Sequence, residues 1–556
     1  MSDRPQKRKN NFVVQAGILA VSGIIVRMIG LLYRSPLTSI IGDEGNGYYS
    51  YAYNIYAIIL LVSSYSIPSA LSKVVAGRLT FKQYKNAHRV FQCAILYVIL
   101  VGGGASLIAF FGAPLLVGAN SVLVLRVFAP TIFLSGLCGV LRGYFQAYGS
   151  MLQTSVSQIF EQIVNAAVSI GGAWFLTTKI AGPQADDTAK AIYGAVGGAL
   201  GTGAGVLTAL LFMLWVYLLN RPQIMKRVAR DRSEQEKRKD SFKVILGIVT
   251  PFILSTFVYN FSTSLNQTFF SDYYTMVRKM TESEVAVLYG IYSGKAVVIS
   301  NIPIALASAM SAAVIPTVAA SFARGDKKTT RKNVQKAVKV TMLISIPSAV
   351  GLGVLAKPIM QVLFWQRNSL DQASAVLAAL AITVIFYALS TLTNAVLQGI
   401  GRVTTPVFHA IIALVVQTAL LVVLLLFTDL GLYSLVLAAI CYSFCMCMLN
   451  QLSVRRHLKY RQEMICTFVL PVVSALIMGT VGRLTYEAIS ILFMWLTHRE
   501  GDYVQNIIAV FFALLVAVEV YFFCVIRLKA ITKEELMAMP KGTKIVSVLK
   551  KMHVIK

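Results

Sequence analysis

Charged residues are scarce in this chain, and acidic residues are the scarcest of them. Asp and Glu number 23 of 556 residues, and all charged residues together make up 13%, where a soluble domain has about 25%. Apolar residues make up 57% of the chain. This composition excludes an ordinary soluble globular protein and is typical of one that lies largely in lipid.

Motifs for nucleotide-driven or catalytic chemistry are also missing. The sequence has no Walker A motif, and its five histidines are scattered without a convincing nucleophile partner. The glycine-rich stretch 194–205 has GxGxxG-like spacings, but it lies inside an apolar run with no strand before it. We interpret these glycines as a surface for close helix packing. The sequence therefore predicts neither an enzyme nor a bound cofactor.

Cysteine usage indicates no disulfide framework and no metal site. The seven cysteines all fall in or beside apolar runs. The one cluster, Cys441, Cys445 and Cys447, has no histidine or carboxylate beside it to complete a ligand set. We therefore expect packed thiols.

Apolar runs of about 20 residues or more, the length that spans a bilayer as a helix, recur along the whole chain. Strict apolar–polar alternation, which is typical of membrane barrels, is not seen. The pattern predicts an all-α polytopic membrane protein with about fourteen transmembrane helices. The predicted segments are 12–34, 47–75, 89–112, 121–147, 152–178, 190–219, 243–272, 285–321, 335–356, 372–399, 404–427, 431–453, 464–487 and 504–527.

The distribution of positive charge predicts the orientation in the membrane. Of the 51 Lys and Arg residues, 37 fall in stretches that lie on one side of this topology and 8 on the other. Positive charge concentrates in cytoplasmic loops, so both termini are expected in the cytoplasm. The net charge of +28 then needs no nucleic-acid partner. The basic N-terminus and the long first run indicate an uncleaved first helix.

An internal repeat divides the chain. Gln146 and Gly149 lie at the end of segment four, and Gln398 and Gly401 lie at the end of segment ten, each 252 residues later. The pattern indicates two parallel six-helix halves, which are typical of transporters. The predicted parts are an N-terminal lobe (1–219), a cytoplasmic linker (220–242), a C-terminal lobe (243–453), and two extra helices with a cytoplasmic tail (454–556).

Two arginines lie inside the first apolar run. Arg27 and Arg34 are seven residues apart, about two helical turns, so they share one face. A charge at bilayer depth costs roughly 2.5–3.5 kcal/mol on insertion scales and usually faces a water-filled interior. We interpret this helix as one wall of a cationic cavity.

A polar stripe at helical spacing runs from Gln158 to Asn165 in segment five and includes Glu161. Two interpretations stay open. In one, Glu161 and Asn165 form a second polar wall of the cavity or a coupling-cation site. In the other, Glu161 bonds to a neighbouring helix through Arg142 or Arg126.

Segment seven has a similar polar face that contains Asn260 and Asn266. Sodium binding there is the functional interpretation, and hydrogen bonding between helices is the structural one. The sequence does not separate the two.

Four motifs in a fixed order, together with the two halves, resemble a known family. They are Arg27-Met-Ile-Gly-Leu-Leu-Tyr-Arg34, Ser66-Ile-Pro-Ser-Ala-Leu-Ser-Lys73, Gly290-Ile-Tyr-Ser-Gly-Lys295 and Ala319-Ala-Ser-Phe-Ala-Arg-Gly-Asp326. The chain resembles the MOP exporter superfamily and, within it, the MurJ-type lipid II flippases and their SpoVB-like branch. The resemblance covers essentially the whole chain.

The resemblance implies two lobes around a cationic central cavity. Residue by residue, it implies that Arg27, Arg34, Lys73 and Lys295 bind substrate. The family has arginines in its second and eighth helices, where this chain offers lysines, and lysine lacks the planar fork that binds phosphate bidentately. The last two helices, within 464–527, are implied to hold a polyprenyl tail.

These observations lead to the hypothesis of a monomeric flippase in a bacterial plasma membrane. Its partners would be membrane lipid and a lipid-linked oligosaccharide with a pyrophosphate headgroup, most simply lipid II. The expected drive is the membrane potential or a sodium ion. The alternatives are another lipid-linked glycan (teichoic, capsular or spore-related), a MATE-like exporter of cationic drugs, and a non-transporting scaffold for wall synthesis.

Overall fold

A computed structural model describes residues 4–531, apart from 66, 183, 235, 365–367, 403 and 498–502. The side chains of 4–21, of 247–260 and of a few scattered positions are also outside the description. The predicted cation-site residue Asn260 is among these and lies outside the described residues.

The described part of the chain is all-α, without a strand, as predicted. Most connections are short, and several helices continue through a stretch of π-helix. The helices are α1 (Arg4–Leu60), α2 (Ile67–Thr80), α3 (Tyr84–Tyr97), α4 (Gly103–Phe111), α5 (Ala113–Leu116), α6 (Val122–Ala147), α7 (Leu152–Phe175), α8 (Asp187–Arg230), α9 (Arg238–Asp272), α10 (Glu282–Gly290), α11 (Val297–Ala323), α12 (Lys327–Val354), α13 (Ala356–Leu363), α14 (Leu370–Gly399), α15 (Thr405–Phe427), α16 (Tyr433–Leu458), α17 (Leu470–Thr497) and α18 (Tyr503–Arg527).

Twelve helical stretches within the described residues are long and apolar enough to cross a membrane. The first of them, Ile25–Thr80, is 56 residues long and includes parts of the first two predicted segments. Predicted segment seven falls mostly on positions whose side chains are not described. The predicted class, a polytopic helical membrane protein, is confirmed, and fourteen remains the sequence-based count.

The first two predicted segments are two helices that join across a kink, with no loop between them. Helix α1 continues through residues 35–46 and changes direction at Gly42, which has φ 71° and ψ 178°. Only glycine adopts such a backbone readily. The polar stretch that predicts a loop therefore marks a break within a helix.

The turns after α6 and α14, where the sequence repeat lies, have the same local structure. Gly149 has φ +80° and Gly401 has φ +82°. The Gly149 N–H donates to the Gln146 carbonyl at 2.9 Å, and the Gly401 N–H donates to the Gln398 carbonyl at 3.0 Å. Both helices thus end with a left-handed glycine, a common way to satisfy the last carbonyls.

The chain forms two compact units, Met1–Gly294 and Lys295–Lys556. In the first unit, buried residues of α2, α3, α6 and α8 form an apolar core. In the second unit, α11, α12, α14 and α16 share a core with α17 and α18. The predicted lobes follow the sequence repeat rather than these contacts, and they stay a prediction.

Glycines of α8 let it approach α7 closely. A β-carbon at Gly205 would lie 2.5 Å from the Glu161 carbonyl oxygen, and one at Gly197 would overlap the backbone of Ala173. This contact fits the interpretation of the glycine-rich stretch as a packing surface. It also fixes α7, which carries the predicted polar stripe.

The predicted linker is helical as far as Arg230, and its non-helical part docks on the α2–α3 turn. Asp231 accepts hydrogen bonds from the N–H groups of Lys85 and Ser233, each at 2.8 Å. Arg78 forms an ion pair with Glu236 at 2.6 Å. Partial desolvation raises the pKa of Asp231, but these N–H donors outweigh it, so the pKa lies below its usual range.

Candidate functional site

A cavity of about 730 Å³ lies within the first unit. Helix α1, the π-helical stretch after it, the start of α2, and helices α6, α7 and α8 supply its walls. The lining residues are Tyr33, Arg34, Tyr49, Tyr53, Tyr56, Ala57, Leu60, Leu61, Ser64, Pro68, Ser69, Ser135, Gly139, Arg142, Gln146, Thr154, Gln158, Glu161, Gln162, Asn165, Thr202 and Val206.

Arg34, one of the predicted substrate-binding residues, is in the wall of this cavity. Its side chain is half-buried, and its Cζ atom lies 5.2 Å from the centroid of the Tyr49 ring. A guanidinium over an aromatic face is attracted by the negative charge density of that face. This contact and a hydrogen bond with the Tyr33 side chain position Arg34 in the cavity wall.

The polar stripe on α7 also lines the cavity. Arg142 of α6 donates from Nη2 to Glu161 Oε2 at 2.7 Å and from Nε to Ser157 Oγ at 2.9 Å. Glu161 therefore belongs to the cavity wall and also bonds to a neighbouring helix. The ion pair agrees with the interpretation of Glu161 as a bond between helices, and the coupling-cation site stays a prediction.

Asn165 and Gln162 have defined positions beside α8 and α1. The Ser169 hydroxyl donates to Asn165 Oδ1 at 3.0 Å. A β-carbon at Gly30 of α1 would lie 3.2 Å from Gln162 Nε2. The absence of a side chain at Gly30 thus lets the α7 amide approach the arginine-bearing helix.

The cavity wall also contains a cluster of aromatic side chains, most of them tyrosines. Tyr49, Tyr53 and Tyr56 recur at helical spacing on α1, and the ring of Phe128 from α6 packs against all three, with centroid distances of 5.4, 5.9 and 4.8 Å. Offset and edge-to-face ring pairs of this kind stabilise an aromatic cluster.

The charged groups of the cavity wall give it a positive balance. The lining contains two positively charged side chains, Arg34 and Arg142, and one negatively charged side chain, Glu161. Since Arg142 and Glu161 pair with each other, the charge of Arg34 remains. A positive, partly apolar cavity suits an anionic or neutral polar ligand better than a cation.

Arg27 and Lys73 are exposed and are not part of this lining. Arg27 lies two turns before Arg34 on the same face of α1. Lys73 lies one turn after Ser69 on α2, and Ser69 does line the cavity. The structure therefore puts both cations on faces that continue from the cavity wall, and their role in binding stays a prediction.

Lys295 belongs to the second unit and has a different environment. Its side chain is 1% exposed, and its Nζ atom donates to Ser369 Oγ at 2.7 Å and lies 5.8 Å from the centroid of the Phe364 ring. It follows Gly294 in a π-helical stretch, Ile291–Ala296. In this conformation Lys295 is in contact with protein, so binding a ligand would require the side chain to move.

Asn266 is buried on α9 next to a hydrogen-bonded network. Its neighbour Gln267 accepts a hydrogen bond from the side-chain amide of Asn54, which also donates to the Tyr289 hydroxyl at 3.0 Å. These contacts join α1, α9 and α10. Sodium binding at Asn266 stays a prediction, while the residue beside it holds helices together.

The described residues contain no group of three or more His, Cys, Asp or Glu side chains placed to hold a metal ion. All seven cysteines, each within the described part, are free thiols.

The tyrosine wall is the part of the site that sequence reasoning missed. Five tyrosines occur within nine residues, from Tyr48 to Tyr56, and that density is a signal in the sequence. Tyrosine is common both in membrane interfaces and in packed interiors, so the signal does not by itself indicate a cavity.

Comparison with known proteins places the chain in one family. The family model described as Lipid II flippase MurJ matches residues 70–504. Lipid II flippase MurJ of Bacillus subtilis (strain 168) is 23% identical over 546 residues, which cover 93% of this chain and 95% of that protein. Stage V sporulation protein B of the same organism is 23% identical over 448 residues, covering 78% and 81%.

Solved structures agree at the level of the fold. A lipid II flippase MurJ in an inward closed conformation superposes with a TM-score of 0.62 at 16% identity and covers 92% of this chain and 97% of its own. An inward-facing MATE multidrug resistance transporter of the MOP superfamily gives a TM-score of 0.64 at 16% identity, covering 79% and 98%. The chain, with its arginine-bearing cavity and its match to the family model along most of its length, belongs to the MurJ family.

Proposed function

We propose that this protein is a flippase that moves lipid II, the undecaprenyl-pyrophosphate-linked peptidoglycan precursor, from the inner to the outer leaflet by alternating access. The observation that carries the proposal is the membrane-embedded cavity with Arg34 in its wall and a positive balance of charge. A pyrophosphate needs cations on a polar path across the bilayer, and arginine binds phosphate bidentately.

Arg27, Lys73 and Lys295 are the further cations of the proposed pathway. Arg27 and Lys73 are exposed next to the cavity wall, where they suit a headgroup that enters or leaves. Lys295 joins only in a conformation in which it has left Ser369. The two six-helix halves, 1–219 and 243–453, are the elements that we expect to move.

The membrane potential is the proposed drive. With the interior negative, an anionic headgroup is driven outward by about 2.3 kcal/mol per charge per 100 mV. A sodium ion at Glu161 and Asn165 is the other candidate, but it competes with the ion pair between Glu161 and Arg142. The basic loops favour cytoplasmic termini in a bacterial plasma membrane.

Complementation tests the proposal in cells. A bacterium depleted of its lipid II flippase would receive the wild type, Arg34→Ala, Arg27→Ala, or Arg126→Ala as a control. Arg126 is an intramembrane arginine that is not part of the cavity lining and lies 5.8 Å from the Phe110 ring centroid. We expect growth with the wild type and the control, and loss of growth with Arg34→Ala at equal protein levels. Growth with all variants would contradict the proposal.

A second candidate cargo is another lipid-linked glycan. The relative named Stage V sporulation protein B is as similar in identity as the MurJ relative, so sequence distance does not choose between them. The likeness to a MATE transporter supports a drug exporter less well, because the cavity wall is positive. Transport of purified lipids in vesicles separates these cargoes.

A further inference from the structure

One tyrosine ring in the cavity wall is partly exposed, and phosphate binding at Arg34 gives no reason for an exposed aromatic ring there. Tyr53 is 38% exposed, although Tyr49 and Tyr56 on either side of it are almost fully buried. Phe128 is buried behind all three rings and holds them in place. Tyr53 is therefore a partly exposed aromatic ring in the cavity wall that packs against Tyr49 and Phe128.

Amide groups share the same cavity. Gln158, Gln162 and Asn165 line it from α7, and each amide offers both hydrogen-bond donors and an acceptor. A pyranose ring has an apolar face of C–H groups and a rim of hydroxyls. Such a ring packs its face on an aromatic side chain and pairs its rim with amides. The wall of this cavity has both partners.

Along α1, a cation is followed by aromatic rings, just as in a glycosyl pyrophosphate the phosphates are followed by a sugar ring. Arg34 Cζ lies 5.2 Å from the Tyr49 ring centroid, and the Tyr49 and Tyr53 rings stack with centroids 5.8 Å apart. A pyrophosphate on Arg34 would thus place its linked sugar toward Tyr53, which lies one ring beyond Tyr49. The cavity volume, about 730 Å³, lies in the usual range for ligand sites, about 300–1,000 Å³.

The charge of the wall argues against an organic cation, the other ligand that aromatic rings bind well. The single carboxylate, Glu161, is already paired with Arg142 at 2.7 Å, and Arg34 adds a positive charge. A cation would have to displace Arg142 and approach Arg34. A neutral sugar beside a phosphate meets neither obstacle.

We propose that Tyr53 is a stacking platform for a sugar ring of the lipid-linked substrate, with the α7 amides at the rim of that ring. This subsite rests on the proposed function, because the sugar reaches the cavity as part of a lipid-linked pyrophosphate. It assigns recognition of the glycan to the first unit, and it separates that recognition from phosphate binding at Arg34.

The test measures binding by the full-length protein in lipid nanodiscs. The probes are a prenyl pyrophosphate, the same lipid carrying one N-acetylhexosamine, and tetraphenylphosphonium as an organic cation. The variants are Tyr53→Ala, Tyr53→Phe and the control Tyr433→Ala, which removes a tyrosine of similar exposure, 40%, from α16 in the second unit. Thermal unfolding of each variant checks that it is folded.

We expect the wild type to bind the sugar-bearing lipid about tenfold more tightly than the sugar-free lipid. Tyr53→Ala would abolish that preference while changing affinity for the sugar-free lipid by less than about twofold. Tyr53→Phe, which keeps the aromatic face, and Tyr433→Ala would retain it.

Three results would overturn the subsite. Tyr53→Ala could keep the preference for the sugar-bearing lipid, or Tyr53→Phe could lose it as fully as Tyr53→Ala. Alternatively, the wild type could bind tetraphenylphosphonium in a manner that Tyr53→Ala abolishes. In each case, binding of the lipids by the wild type would leave the proposed function standing. A wild type that binds neither lipid would instead contradict the proposed function itself.

Discussion

Arg142 and Glu161 form an ion pair across α6 and α7 in the cavity wall, with 2.7 Å between Nη2 and Oε2. Their side chains are 15% and 29% exposed. Because they are partly withdrawn from water, each stabilises the charge of the other and both depend on the pair.

Removing one partner of this pair should destabilise the protein more than removing the pair. We expect Glu161→Ala to cost about 1–3 kcal/mol, since it leaves the Arg142 charge without its carboxylate. The double variant Arg142→Ala/Glu161→Ala should recover part of that loss. The control is Arg483→Ala, which breaks the more exposed pair with Glu487 and should cost about 1 kcal/mol or less. If Glu161→Ala and Arg483→Ala lowered the unfolding midpoint equally, the cavity pair would contribute no more to stability than the exposed pair.

The two repeat turns should respond alike to substitution. Gly149→Ala and Gly401→Ala each force a side chain into a left-handed backbone, which costs about 1–2 kcal/mol. Gly171→Ala is the matched control, because a β-carbon there meets nothing within 4 Å on an α-helix, and it should be neutral or stabilising by up to about 1 kcal/mol. Thermal unfolding in detergent measures all three. If only one of the two turn variants lost thermal stability, the two turns would not be equivalent.

A covalent link between α1 and the stretch after α10 should stop transport. Ser50 and Ser293 have hydroxyl oxygens 3.0 Å apart, so cysteines there lie close enough to be joined by an oxidant. We expect Ser50→Cys/Ser293→Cys to lose at least tenfold in transport when oxidised and to recover on reduction. Each single variant controls for the seven native cysteines. Full transport by the linked protein would show that these segments need not separate.

Docking of the linker should weaken in acid. The folded pKa of Asp231 lies below its usual value because two backbone N–H groups bind the carboxylate. A depressed pKa stabilises the fold above the unfolded value of about 3.9, and that stability is lost as pH falls through the folded pKa. The protection of the Lys85 and Ser233 amides against hydrogen exchange, relative to their intrinsic exchange rates, should therefore fall below about pH 4. Asp231→Asn should remove this pH dependence, and an unchanged pH profile in that variant would contradict it.

Much of the fold follows from the sequence because apolar length and loop charge are strong signals in membranes. The turns at Gly149 and Gly401 could also be anticipated, since paired motifs at a constant separation indicate the same local structure. The continuation of α1 through residues 35–46 could not, because its polar residues predict a loop equally well. Only the backbone at Gly42 distinguishes a break from a loop.

A charge in an apolar run indicated only part of the candidate site, since Arg27 is such a charge and does not line the cavity. Arg34 and Glu161 are conspicuous for that reason, and both line the cavity. Lys295 is as conspicuous in sequence, but its bond to Ser369 depends on a contact 74 residues away that no local pattern indicates. The role of Tyr53 depends on which face of its ring is covered, and that is a property of three-dimensional packing.

Transport of lipid II by purified protein in vesicles tests whether Arg34 binds the pyrophosphate of the substrate during transport. Wild type, Arg34→Ala and Arg126→Ala would be reconstituted with lipid II in the inner leaflet, and its appearance outside would be followed at an inside-negative potential. We expect movement by the wild type and by Arg126→Ala at similar rates, and at least a tenfold slower rate for Arg34→Ala, because the pyrophosphate loses its bidentate partner. An unchanged rate with Arg34→Ala, in protein that is folded and equally reconstituted, would contradict it.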